Sequence, residues 1–137
     1  MSYKLEFEKL VNFNTDKTGI SLNVELRLNS ESVIFEAKID TGASFCIFAR
    51  EYGEKLGLEI EKGFLRHFNT TTGSFRAYSH GVTLVVEEFE FDSQVFFAAD
   101  ESFQTNVLGR HGWLDRMIIG INDYDGKLYL SRYESNV

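Results

Sequence analysis

Apolar and polar residues alternate along most of this chain with a period of two, the spacing of half-buried strands. Ile20, Leu22, Val24, Leu26 and Leu28 fall on one face of an extended segment, with Ser21, Asn23, Glu25 and Arg27 on the other. Asn29-Ser30-Glu31-Ser32 is turn chemistry, and Val33-Ile34-Phe35 through Ile39 reads as the returning arm of a hairpin with Asp40 at its end. Tyr3, Leu5 and Phe7 alternate within the first eleven residues and predict an additional N-terminal strand, before Asn12 to Gly19 breaks the pattern. Ala49 to Leu58 is rich in helix formers, with Gly57 as a natural stop.

From Phe64 the strand pattern resumes toward Thr70-Thr71-Thr72-Gly73-Ser74 and returns through Phe75, Ala77 and Tyr78 to Val82–Val86, a long hairpin with a small-residue tip. A hairpin centred nearer Gly81 is the alternative. Phe89 and Phe91 alternate with acids ahead of Asp92-Ser93, and Val95-Phe96-Phe97 is expected to begin another strand. The polar stretch Asp100 to Asn106 leads into Val107-Leu108-Gly109. Trp113-Leu114-Asp115-Arg116 predicts one helical turn, and Met117–Ile121 with Leu128–Leu130 predicts a last hairpin around a Gly-containing turn.

Composition narrows the class. At 137 residues the chain has room for one domain, and 43% hydrophobic residues, including 13 Phe, allow a packed core. A net charge of −7 with no basic cluster argues against nucleic acid as a partner. The apolar runs are far below the roughly 20 residues that span a bilayer, and Met1-Ser2-Tyr3-Lys4-Leu5-Glu6 has no apolar signal core, so neither membrane insertion nor export is expected and the location is read as cytoplasmic. Cys46 is the single cysteine and has no disulfide partner.

The stretch with chemical content is Ala37-Lys38-Ile39-Asp40-Thr41-Gly42-Ala43-Ser44, in which an apolar strand delivers a carboxylate into a Thr-Gly turn. A strand end holds the carboxylate on a rigid element, Gly42 lets another backbone come close, and Thr41 can lock the turn through its hydroxyl. Asp, Thr and Gly are also common turn residues, so the tripeptide alone does not define a site. Its context does more. Asp-Thr-Gly-Ala-Ser, a helix ending Lys-Leu-Gly-Leu, a flap-like hairpin, and Val107-Leu108-Gly109-Arg110 before a short helix and a final hairpin follow in an order that, from Ser21 to Ser131, resembles the retropepsin-like aspartic proteases.

That resemblance implies an all-β fold, a small closed barrel with one or two short helices, working as a homodimer. Residues 19–137 would form the protease domain and 1–18 an N-terminal extension. It implies an aspartic endopeptidase that acts on peptide or protein substrates and uses neither a cofactor nor a metal. With a single Asp-Thr-Gly, each subunit supplies one Asp40. Two carboxylates about 3 Å apart share a proton, so one serves as base on a water and the other as acid on the carbonyl. Thr41 would brace the turn across the dimer, while Gly42 and Ala43 contact the substrate main chain. Leu108, Gly109 and Arg110 would form the supporting turn, and Thr72, Gly73 and Ser74 the tip of a mobile flap. The strands around Ile118–Ile121 and Leu128–Leu130 would contribute to the interface. Many retroviral members have an aspartate where Ser44 stands, paired with the arginine corresponding to Arg110. That difference, with the Trp113-Leu114 and Ile-rich ending, looks closer to cellular members than to compact viral ones.

Two rival readings remain at this stage: a catalytically silent dimerisation or peptide-binding module of the same fold, and a small ligand-binding barrel with a structural Asp40. His67, His80 and His111 lack metal-ligand spacing. Cys46 has apolar neighbours that disfavour a thiolate. Asp123, Asp125 and Gly126 read as turn residues rather than a calcium loop.

Overall fold

Ten strands and one short helix make up the computed structural model of the chain, which describes residues 1–133. β1 (Lys9–Asn12), β2 (Ser21–Leu28), β3 (Glu31–Ile39) and β4 (Ile47–Phe48) precede the helix α1 (Arg50–Lys55). After a single 3-10 turn at Ile60–Lys62 come β5 (Phe64–Thr70), β6 (Gly73–Val86), β7 (Phe89–Ala98) and β8 (Val107–Leu108). A second 3-10 turn, Leu114–Arg116, leads to β9 (Met117–Asn122) and β10 (Lys127–Arg132).

The larger sheet runs β2-β3-β8-β4-β7-β6-β5, and β2 also pairs with β6, so the first six strands close into a barrel while β5 stands outside the ring as the free arm of a hairpin. Closure removes the edges that an open sheet would expose. A second sheet, β1-β10-β9, covers one end. Between them lies the core, where Leu22, Val24 and Leu26 of β2 meet Leu84 and Val86 of β6, and the fully buried Trp113 joins Phe48, Phe97 and Leu108. The fold is mostly β, as the alternation predicts.

The helix ends as the sequence suggests: Gly57 adopts φ +86°, its N–H donates to the Glu54 carbonyl and the Leu58 N–H donates to that of Gly53, which satisfies two terminal acceptors at once. Other details differ. The β2–β3 turn is only Asn29-Ser30, so Glu31 and Ser32 are already strand. The N-terminal strand lies later than the Tyr3–Phe7 alternation, because Tyr3 and Leu5 are exposed whereas β1 gains backbone partners along β10 from Lys9 onward.

Asp92-Ser93 does not interrupt a strand. β7 runs through it, with Ser93 buried in register with Phe91 and Val95 and its hydroxyl donating to the Gly112 carbonyl at 2.9 Å, so a satisfied polar residue occupies a core position. The real connection is the two-residue Glu87-Glu88 turn, both residues at positive φ (49° and 75°), without the Gly or Asn that marks such turns in sequence. Gly81 lies inside β6 opposite Gln94 and makes no turn. No helix among the described residues is long and apolar enough to cross a membrane.

Candidate active site

Asp40 is the first residue after β3, and its position follows from parallel pairing. β3 and β8 run side by side, Lys38 beside Val107 and Ile39 beside Leu108, so the loops leaving them emerge at the same end. The Asp40 N–H donates to the Leu108 carbonyl at 3.0 Å. Two further bonds lace the loops together, Arg110 N–H to the Ala43 carbonyl (2.9 Å) and His111 N–H to that of Ser44 (2.8 Å). Gly109 is obligatory at this crossing: a Cβ there would lie 2.2 Å from the Phe45 carbonyl oxygen.

Within the turn the Ala43 N–H donates to the Asp40 carbonyl (3.2 Å) and the Gly42 N–H to Asp40 Oδ1 (2.9 Å). The second bond holds one carboxylate oxygen in place, and Asp40, Thr41 and Gly42 are all exposed. Asn106 supports the same end from below. Its backbone carbonyl accepts from Lys38 N–H at 3.0 Å and its side-chain oxygen from Ala49 N–H at 2.9 Å, tying β3 to the start of α1.

Asp40, Gly42, Ala43 and Ser44 form the floor of a cleft of about 790 Å³. The β5–β6 hairpin forms its roof, contributing Thr72, Gly73 and Ser74 beside the two-residue Thr71-Thr72 turn. Among the described residues Asp40 is the only ionisable one lining the cleft; its walls are Ile47, Val107 and the rings of Phe68, Phe75 and Phe103, with Asn69, Thr70 and Thr105 between them. Phe68 and Phe75 stack at 5.1 Å, and Phe103 packs on Phe75 at 4.6 Å. Phe45, from the far side of the turn, meets Phe96 at 5.0 Å and Phe68 at 6.0 Å, and the Arg66 guanidinium of β5 sits 4.7 Å from its ring centre. The cleft thus sets one carboxylate beside aromatic walls and small polar residues, a combination that can hold an extended ligand.

Of the residues singled out in the sequence, Asp40, Gly42, Ala43, Thr72, Gly73 and Ser74 meet at this cleft. Thr41 stands beside it, exposed, and Leu108 and Gly109 lie buried behind the turn. Arg110 is exposed and, among the described residues, makes no ion pair. Phe103 and Thr105 were not legible as site residues, because a lone aromatic in a polar stretch carries no periodic signal. Cys46 is fully buried and burial pushes its thiol up to about 12, which removes it as a nucleophile. The three histidines lie apart: His67 on the hairpin, His80 bonded through Nε2 to the Ile60 carbonyl, and His111 3.5 Å from Asp115. Asp123 and Asp125 belong to the last turn, where Asn122 donates to the Asp125 carboxylate.

Comparison with known proteins agrees with this fold. The aspartyl protease family model matches residues 24–121, more than half of the chain. A retropepsin-like aspartic protease from Rickettsia conorii superposes with a TM-score of 0.63 at 22% identity, covering 90% of this chain and 97% of that one. The EIAV protease complexed with the inhibitor HBY-793 superposes at 0.55 and 17% identity, covering 73% and 88%. No curated protein matches this chain.

Proposed function

This chain belongs to the aspartyl protease family and has the retropepsin-like fold, and from that premise we propose that it is an endopeptidase whose reaction centre is a pair of Asp40 carboxylates, one from each of two identical subunits. The observation that carries the proposal is a solitary, exposed carboxylate, held by the Gly42 N–H on the floor of a cleft whose lining, among the described residues, has no second acid or base. One carboxylate cannot both take a proton from water and give one to the scissile carbonyl in the same step. A second Asp40 approaching within about 3 Å supplies the missing partner, and because like charges at that distance cannot both ionise, the pair holds one proton between them. The ionised member takes a proton from the attacking water and the protonated member gives its own to the carbonyl oxygen.

The three-stranded sheet supports the pairing. Among the described residues both of its outer strands, β1 and β9, have a free edge, where Leu10 and Ile121 are exposed, and Tyr124 is exposed in the turn after β9. Thr41, exposed in the single subunit, is available to brace the opposite turn, and the Thr71-Thr72 tip is read as the flap that closes over a bound peptide. We keep residues 19–137 as the protease domain, with 1–18 as an extension that lends it β1.

Asp40→Asn tests the assignment. The amide preserves shape but cannot act as base or share the proton, so peptidase activity should fall by orders of magnitude while sedimentation still reports the same dimer. A variant that cleaves at the parent rate removes Asp40 from the reaction.

A further inference from the structure

Between Glu61 and Glu87 the chain has no acidic residue, although it carries 21 in all. That interval holds the β5–β6 hairpin, with Arg66, Arg76, His67 and His80 as its basic side chains and no acid, in an acidic molecule. β5 is also the outermost strand of its sheet. The two-residue turn makes Thr70 and Gly73 a hydrogen-bonded pair, and in an antiparallel ladder such pairs alternate. The backbone groups of Phe64, Arg66 and Phe68 therefore face β6, while those of Leu65, His67 and Asn69 face outward, unpaired in the sheet.

The same three residues share one face with their partners. Leu65 stands opposite Tyr78, His67 opposite Arg76 and Asn69 opposite Ser74, so that face reads apolar, cationic, polar. His67 and Arg76 are exposed and make no ion pair among the described residues. Directly opposed cations repel when the histidine is protonated. The acid nearest Arg76 in effect, Glu61, is already held by both Nη nitrogens of Arg50. Free edges are ordinarily blunted by a proline, a bulge or an outward charge. This one has no proline, Arg66 folds back over Phe45, and Phe64 and Leu65 are 82% and 48% exposed.

We propose that the outer edge of β5 captures an extended acidic segment of a protein partner as an added strand, with a carboxylate beside His67 and Arg76 and an apolar side chain two residues away beside Leu65 and Tyr78. The two-residue spacing follows from side-chain alternation along an extended chain. Because the hairpin roofs the Asp40 cleft, the captured segment is the flanking sequence of a protein substrate; that consequence rests on the peptidase reading, whereas the capture itself does not.

The test uses the Asp40→Asn chain, in which no cleavage intervenes. Anisotropy is measured for a capped, labelled peptide carrying valine, glutamate and asparagine at every second residue with threonine between them, and for its counterpart with lysine in place of glutamate. The acidic peptide should bind saturably, roughly ten-fold tighter than the lysine peptide, and weaken with added salt. His67→Pro removes an outward N–H without touching a bond to β6 and should cost roughly ten-fold in affinity. Arg76→Glu, on the other strand, should reverse the preference between the peptides and decides the matter should the proline disturb the hairpin. Equal affinity for the two peptides, no binding at millimolar concentration, or binding unchanged in both variants overturns the proposal, the last by assigning the peptide to the cleft. A parent chain that binds through this edge yet cuts nothing removes the peptidase reading alone.

Discussion

Two loops face each other across the cleft, and they are held by different forces. The Asp40–Ser44 turn is laced to Leu108, Arg110 and His111 by backbone hydrogen bonds of 2.8–3.0 Å and packed so closely on Gly109 that no side chain fits. The β6 arm of the hairpin above it is bonded to β7 only as far out as Arg76, whose carbonyl accepts from Ala99 N–H at 2.9 Å; beyond that point rings tie it to the body, Phe68 on Phe96 at 5.3 Å and Phe75 on Phe103 at 4.6 Å, while its Thr71-Thr72 tip is exposed. Backbone bonds are directional and fix a donor to within tenths of an ångström, whereas ring contacts tolerate sliding. The first suits a carboxylate whose position decides whether chemistry occurs. The second suits, on the proposed reading, a cover that lifts to admit a peptide.

The sharpest way to break the contrast is Gly109→Ala. Its Cβ would lie 2.2 Å from the Phe45 carbonyl oxygen and 2.9 Å from that of Ala43, so the two laced loops must separate. A loss on the order of 3 kcal/mol or more is expected in denaturant titration, together with peptidase activity. A variant as stable as the parent would show that the lacing is loose. Phe103→Ala attacks the other side. Phe103 is only half-buried, so the stability loss should be about 1–2 kcal/mol. Hydrogen exchange should quicken at hairpin amides 68–75 and stay slow at Asp40, Arg110 and His111; equal acceleration at both loops contradicts the division.

The smallest effect concerns the hairpin base, where the Glu61 carboxylate accepts from both Nη nitrogens of Arg50 and is held down to about 2, from the usual 4.5. A carboxylate depressed in the folded state contributes stability that is complete above about 4.5 and lost as pH falls toward 2. Solvent screens this exposed pair, so the contribution is modest. The parent's melting temperature should fall more steeply than that of Glu61→Gln across pH 4.5 to 2, and parallel slopes would remove the ion pair from the account.

The two loops also differ in how far the sequence announces them. Asp40 is visible as a carboxylate ending an apolar strand, and its partner Gly109 as the glycine after Val107-Leu108, because both depend on short local patterns. The hairpin turn is visible for the same reason, in a run of small residues between alternating arms. Its anchors are not. Phe103 sits in a polar loop after β7 and reaches Phe75 because β7 pairs with β6, a contact with no sequence period. Ser93 misleads in the opposite direction, since a buried hydroxyl satisfied by the Gly112 carbonyl looks in sequence like a break. The position of the N-terminal strand escapes too: alternation marks Tyr3 to Phe7, but pairing with β10 and the contact of Lys9 with Glu88 decide where β1 forms.

The central claim, that one reaction needs two Asp40 carboxylates from two chains, is tested most directly by subunit mixing. Parent chain is held at a concentration where it is dimeric and equilibrated with a five-fold excess of Asp40→Asn. If the dyad is shared, mixed dimers are inactive, and random pairing should lower activity per parent chain to about one-sixth of its starting value. Activity that stays constant as the excess rises would mean that each chain works alone, and would contradict the shared-aspartate mechanism.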